Sequence, residues 1–114
     1  MKQGDIIWLD FDPTKDREQA GHRPALVISR TEYNRVRNLA IICPITSQSR
    51  PLKLRVPLDH RTQTQGDVIC EQLRTIDLLA RKCKVVEQIP KDKLENVLEA
   101  LSAIISIEDT GSET

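Results

Sequence analysis

The apolar positions of the chain fall into short runs broken by polar turns, and the rhythm changes only near the C-terminus. Residues 5–11, DIIWLDF, predict a first strand that ends at the turn-forming Asp12-Pro13-Thr14. The polar stretch 12–22, DPTKDREQAGH, is long for a loop in a compact domain, and such loops often carry function. A second strand is expected over 24–29, where Ala25-Leu26-Val27-Ile28 suits a buried pleated surface. Thr31 is placed to cap a short turn through Glu32-Tyr33-Asn34. A third strand runs from Leu39 to Ile45, and Pro44, which lacks an N–H, predicts an edge or bulge at its end. The hydroxyl-rich turn Thr46-Ser47-Gln48-Ser49 follows. In 53–58, KLRVPL, Leu54, Val56 and Leu58 alternate onto one face. Beyond the polar loop 59–66, Val68 to Cys70 and Cys83 to Val86 read as short strands, with Glu71-Gln72 at the exit of the first.

From residue 91 the period becomes helical: Leu94, Val97, Leu98, Leu101, Ile104 and Ile105 form one stripe. Pro90 suits the position just ahead of a helix, and Asp92 and Glu95 suit its positive N-terminal end. The pattern predicts a mainly β (α+β) domain, a small, strongly bent antiparallel sheet or barrel with a packed C-terminal α-helix. It occupies 1–108 as one domain, with 109–114 as a flexible tail and no internal repeat.

Composition narrows the functional classes. A chain of 114 residues can bury a core without disulfides or metals. Lys and Arg number 17 against 17 Asp and Glu, so no bulk field draws nucleic acid, and any anion site must come from local placement of charge. Trp8, Phe11 and Tyr33 are the whole aromatic set, which disfavours a binder built on rows of stacking rings. Cys43, Cys70 and Cys83 make no CxxC pair and suit a reducing, cytoplasmic compartment. The start MKQGDIIWLDFD does not read as a signal peptide, and no apolar run reaches the ~20 residues that cross a bilayer, so no membrane role is expected. His22 and His60 have no ligand spacing to each other or to the cysteines, and Walker, GxGxxG and GxSxG motifs are missing; no metal and no cofactor are expected. His60, in a polar loop, reads as a solvated side chain.

Three polar clusters sit at strand ends: Glu18-Gln19 with Gly21-His22-Arg23, Thr46-Ser47-Gln48, and Glu71-Gln72 followed by Arg74-Thr75-Ile76-Asp77. In the first, Pro24 fixes its own φ and pushes Arg23 toward an extended backbone, while Gly21 frees the turn before it. A guanidinium is thus held at a stiff strand entrance, either to be aimed at a ligand or simply to close a turn. Each cluster taken singly is ordinary turn chemistry.

In order along the chain, DIIWLDFDPT, EQAGHRPALVIS, YNR, CPITSQ and EQLRTIDLLARK resemble the MazF/PemK family of toxin endoribonucleases. The likeness runs from about Gly4 into the C-terminal helix, and EQxGxRP with EQxRTID makes it specific. The resemblance implies an SH3-like barrel of the CcdB/MazF/PemK type and a homodimer. It also implies metal-independent, sequence-specific cleavage of single-stranded RNA and inhibition by a cognate MazE/PemI-like antitoxin, with DNA touched only through the antitoxin complex. It carries the arginine of GxRP onto Arg23, the threonine of PITS onto Thr46, and the acid before glutamine onto Glu71. Some members have an arginine two residues before that acid; here Ile69 stands there.

Metal-free cleavage uses the substrate's 2′-hydroxyl as nucleophile and leaves a 2′,3′-cyclic phosphate and a 5′-hydroxyl. It requires proton transfer and stabilisation of the charge that develops on phosphorus. Arg23 offers forked donors matched to phosphate oxygens, and Thr46 adds a hydroxyl donor. Glu71 is the carboxylate expected to act as base, since arginine, with a pKa above ~12, stays protonated. In some descriptions of the family, the arginine and threonine take the proton-transfer roles instead. Gln19, Ser47, Gln48 and Gln72 are candidates to read bases or hold sugars. Glu18, Arg74, Thr75 and Asp77 are expected to form a structural network near the site. Two other classes compete: the same barrel binding a protein target, as CcdB-type proteins bind gyrase, and a regulatory RNA binder without activity.

Overall fold

The computed structural model describes residues 1–10 and 22–109. Strands β1 (Asp5–Asp10), β2 (His22–Val27), β3 (Leu39–Thr46), β4 (Arg55–Pro57), β5 (Asp67–Ile69), β6 (Arg74–Asp77) and β7 (Cys83–Gln88) alternate with helix α1 (Thr31–Arg37) and end in helix α2 (Lys91–Ile104). All pairings are antiparallel. They run in the order β4-β5-β3-β2-β1-β7, with β6 also on β3. The mainly β architecture with a C-terminal helix is as expected. Among the described residues the pairings form an open path, with none joining β4 to β7 to close a barrel.

Pro44 explains how one strand serves three neighbours. Ala25 pairs with Pro44 inside the sheet, so Pro44 does not end the strand, and the irregularity expected there falls on the other side of β3. The other side of β3 pairs with β6 over Leu39–Ile42 and with β5 over Ile45–Thr46, leaving Cys43-Pro44 between them. Ile41 directs its carbonyl to Ile28 N–H (2.9 Å) and its N–H to Ser29 Oγ (2.9 Å), so its polar groups face β2. By strand alternation the nitrogen of Pro44 faces the other side, where β6 has ended and β5 has not begun. The missing donor falls where no acceptor waits.

Both faces of the central strands are buried here, which is why residues 25–28 read as a continuous apolar run. One face gathers Ile6, Leu26, Cys43, Ile45 and Val68, covered by Val97 and Leu101 of α2. The other gathers Ile7, Leu9, Ala25, Val27, Ala40, Ile42 and Ile76. Burial pushes the Cys43 thiol up to about 12, helped by the neighbouring Cys70, which burial and the Glu71 charge bring to about 11. Both remain protonated small apolar groups at neutral pH.

Several boundaries differ from those expected. Residues 74–77 form strand β6, because Arg74 to Asp77 pair with Ile42 to Leu39. Strand β4 is confined to 55–57, since Leu54 turns with φ 66°. Helix α2 stops at Ile104, leaving Ile105 and Ile107 exposed. The cap of α1 is Arg30, without a side-chain bond, and Thr31 Oγ1 instead accepts the Gln3 N–H at 3.0 Å.

Buried Asn34 links four segments. Its amide donates to Met1 O (3.1 Å) and Ser29 O (3.3 Å), and its Oδ1 accepts the Ser29 hydroxyl, whose oxygen holds the Ile41 N–H. Asn34→Ala leaves these groups unpaired, so urea unfolding should show a loss of about 1–3 kcal/mol. A loss within experimental error would mean that the network adds nothing.

Candidate active site

Three strand junctions bring the expected arginine and threonine together. The β2–β3 register, Ala25↔Pro44 and Leu26↔Cys43, continued by two residues sets Arg23 opposite Thr46 on the same face. β1 sets Leu9 opposite Arg23 and Trp8 opposite Pro24, while β5 sets Asp67 opposite Thr46. Between these strand ends lies an open groove of about 710 Å³. Trp8, Arg23, Pro24 and the run Ile45-Thr46-Ser47-Gln48 line it, faced by Gln63, Thr64 and Gln65. Arg23 is the one charged side chain among these described lining residues. A groove of amides and hydroxyls around a single guanidinium suits an anionic, hydrogen-bonding ligand.

The turn after β3 is fixed from below by a buried acid. The carboxylate of Asp67, 1% exposed, accepts the Ser49 hydroxyl at 2.7 Å and the Arg50 N–H at 2.9 Å. Arg55 stands 3.7 Å from the same carboxylate and donates to Gln48 O at 3.0 Å. Thr46 Oγ1 accepts the Gln48 N–H at 3.2 Å, which leaves its own hydrogen to be donated elsewhere. Gly66, at φ 121°, lies against this turn: a Cβ there would come 2.0 Å from Thr46 O.

The facing wall, the loop 58–66, is braced at three places. Leu58 N–H donates to Gly66 O at 2.8 Å and closes its base. Arg61 clasps Asp59 (2.9 Å) and reaches Asp92 at the start of α2 (2.8 Å). Glu87 of β7 accepts Gln63 N–H (3.0 Å), Thr64 N–H (2.8 Å) and the Thr64 hydroxyl (2.7 Å). Partial burial pushes the Glu87 carboxyl up, but these donors outweigh it and hold the group below its ordinary range.

The expected site residues divide. Arg23, Thr46, Ser47 and Gln48 meet at the groove. Glu71 and Gln72 do not line it: they follow Ile69, at the opposite end of β5 from the Asp67 that pairs with Thr46, where Gln72 N–H turns back to Ile69 O. Arg74, Thr75 and Asp77 belong to β6, where Asp77 accepts the Leu79 and Ala80 N–H groups and holds a turn. Glu18 and Gln19 lie outside the described residues. Sequence reading missed Trp8, the 63–65 wall and the Asp67 brace. The amide-rich TQTQ within 59–66 was a signal for the wall; nothing local announced Asp67.

The chain matches, over residues 2–105, the family described as PemK-like, MazF-like toxin of type II toxin-antitoxin system. Endoribonuclease PemK of Escherichia coli is 38% identical over 110 residues, covering 93% of this chain and 83% of that one. Endoribonuclease toxin MazF of Escherichia coli (strain K12) is 34% identical over 102 residues, covering 90% and 91%. The crystal structure of MazE-MazF from Deinococcus radiodurans superposes with a TM-score of 0.79 at 30% identity, covering 91% of this chain and 93% of that one. The chain therefore belongs to the PemK-like, MazF-like toxin family, and its enzyme class is endoribonuclease.

Two measurements check this geometry. Gly66→Ala should displace the Thr46 carbonyl and cost about 1–3 kcal/mol of stability, read by thermal melts, with Thr46 and Ser47 amide shifts moving together. An unchanged melt would contradict the packing. Because the Glu87 carboxyl is depressed, its contribution holds above the unfolded value near 4.5 and is lost as pH falls through the lower folded value. The Gln63 and Thr64 amide resonances should therefore titrate below pH 4.5; a midpoint at or above that value would refute the brace.

Proposed function

We propose that the chain is the toxin of a toxin–antitoxin pair and cleaves single-stranded RNA at the Arg23–Thr46 groove without a metal, leaving a 2′,3′-cyclic phosphate and a 5′-hydroxyl. The observation that carries the reading is the cross-strand placement of Arg23 against Thr46 in a groove with no other charge among its described lining residues. Arg23 holds the nonbridging oxygens of the scissile phosphate and stabilises the charge that develops there. The described lining offers no histidine, cysteine or carboxylate, the usual ligands of a catalytic metal.

The proton balance supports a simple route. The 2′-oxygen bonds to phosphorus, the bond to the 5′-oxygen breaks, and the proton lost by the first is the one the second requires. Thr46 Oγ1, which can accept and donate, relays it. Glu71 does not line this groove within one chain and takes no proton-transfer step. Ser47, Gln48 and the facing amides contact bases and sugars. The protein acts as a homodimer, and a cognate antitoxin silences it by laying an acidic segment over Arg23.

Arg23→Ala should slow cleavage of a long RNA several hundredfold, about 3–4 kcal/mol, with an unchanged melting temperature. Arg23→Lys should recover little, because a point charge does not replace the planar fork. Glu71→Gln should stay within a few-fold of wild type, and EDTA should have no effect. Arg23→Ala cleaving at near wild-type rate, or Glu71→Gln abolishing cleavage in a folded protein, would overturn the assignment.

A further inference from the structure

The groove continues past Ser47. A second open basin of about 610 Å³ shares Ser47 and Gln65 with it and extends over Leu58, Asp59, His60 and Thr62. We propose that this basin is a base-binding subsite: it takes a single nucleobase of the RNA strand whose phosphate sits at Arg23, and so contributes to sequence preference. The inference rests on the reading of the groove given above.

Charge selects the base over the phosphate. No lysine or arginine is among the described lining residues of the basin, and its acid, Asp59, is already paired with Arg61 at 2.9 Å. A phosphate would meet a carboxylate and no free cation there. A neutral base would meet the Ser47 hydroxyl and the Gln65 amide at its edge, with the Leu58 side chain and the His60 ring as surfaces to lie against. Thr62 is not free to compete: its hydroxyl donates to Thr64 O at 2.7 Å and holds the loop in shape.

Rigidity supports the same conclusion. The loop is tied at its base by Leu58 and Gly66, to α2 through Arg61 and Asp92, and to β7 through Glu87. A wall whose backbone is braced at three places keeps its shape before a ligand arrives, so binding has little backbone ordering to supply. Gln65 faces both basins, which places the base directly beside the phosphate held by Arg23.

The test is a cycle between His60→Ala and an abasic scan. Non-cleavable 2′-O-methyl oligoribonucleotides, taken from a sequence that the wild-type protein cuts, are titrated against the intact protein and read by the fluorescence of Trp8. One position should show non-additivity: removing its base should weaken wild-type binding about tenfold but leave His60→Ala binding nearly unchanged. Gln65→Ala should change the base preferred at that position. Additive losses at every position, in a protein that cuts RNA normally, would overturn the subsite and leave the proposed function standing. A wild-type protein that neither cuts RNA nor binds the oligonucleotides would overturn both.

Discussion

Strand β3 changes partners at Pro44, and the groove depends on that change. A strand with an uninterrupted ladder on both sides would continue beside β6, and Thr46 would have no reason to meet β5. The missing N–H releases β3 from one neighbour just where the next begins. Ile45 and Thr46 can then pair with Val68 and Asp67, which carries the loop 58–66 across from Arg23. The same strand therefore belongs to both halves of the sheet and holds the two walls of the groove in register.

Asp67 then converts register into geometry. A buried carboxylate is costly unless its oxygens are paired, and here it gathers a hydroxyl and a backbone N–H from the turn it supports and a guanidinium from Arg55 of β4. Removing any one partner would leave the charge under-compensated in a dry place. The turn 46–50 is thus held by the cost of the alternative as much as by the bonds themselves. Gly66 completes the arrangement, because only a residue without Cβ can lie against Thr46 O.

Much of this is legible in the sequence. The β2 and β3 strands were visible as apolar runs, α2 as a 3.6-residue stripe, and Arg23 and Thr46 as polar residues at strand ends. What could not be read was pairing. Residues 74–77, with one apolar side chain among them, looked like a turn because their partner, the first half of β3, lies more than thirty residues away in sequence. Pro44 looked like an edge because a sequence shows the absent donor without showing that no acceptor faces it. Glu71 stands out by its motif and by being a carboxylate, and neither shows which end of β5 meets the groove; the register sets Asp67, at the other end of that strand, opposite Thr46.

The central claim is that one phosphate of the substrate sits between Arg23 and Thr46. A crystal structure of the protein with an RNA oligonucleotide carrying a single 2′-deoxy nucleotide at its cut site tests this directly, since the missing nucleophile stops the reaction with the strand in place. The phosphate that follows the deoxy nucleotide should place its nonbridging oxygens within hydrogen-bonding distance of the Arg23 guanidinium and its 5′-oxygen within reach of Thr46 Oγ1. The same phosphate found at Glu71 and Gln72, with Arg23 left unengaged, would contradict the account.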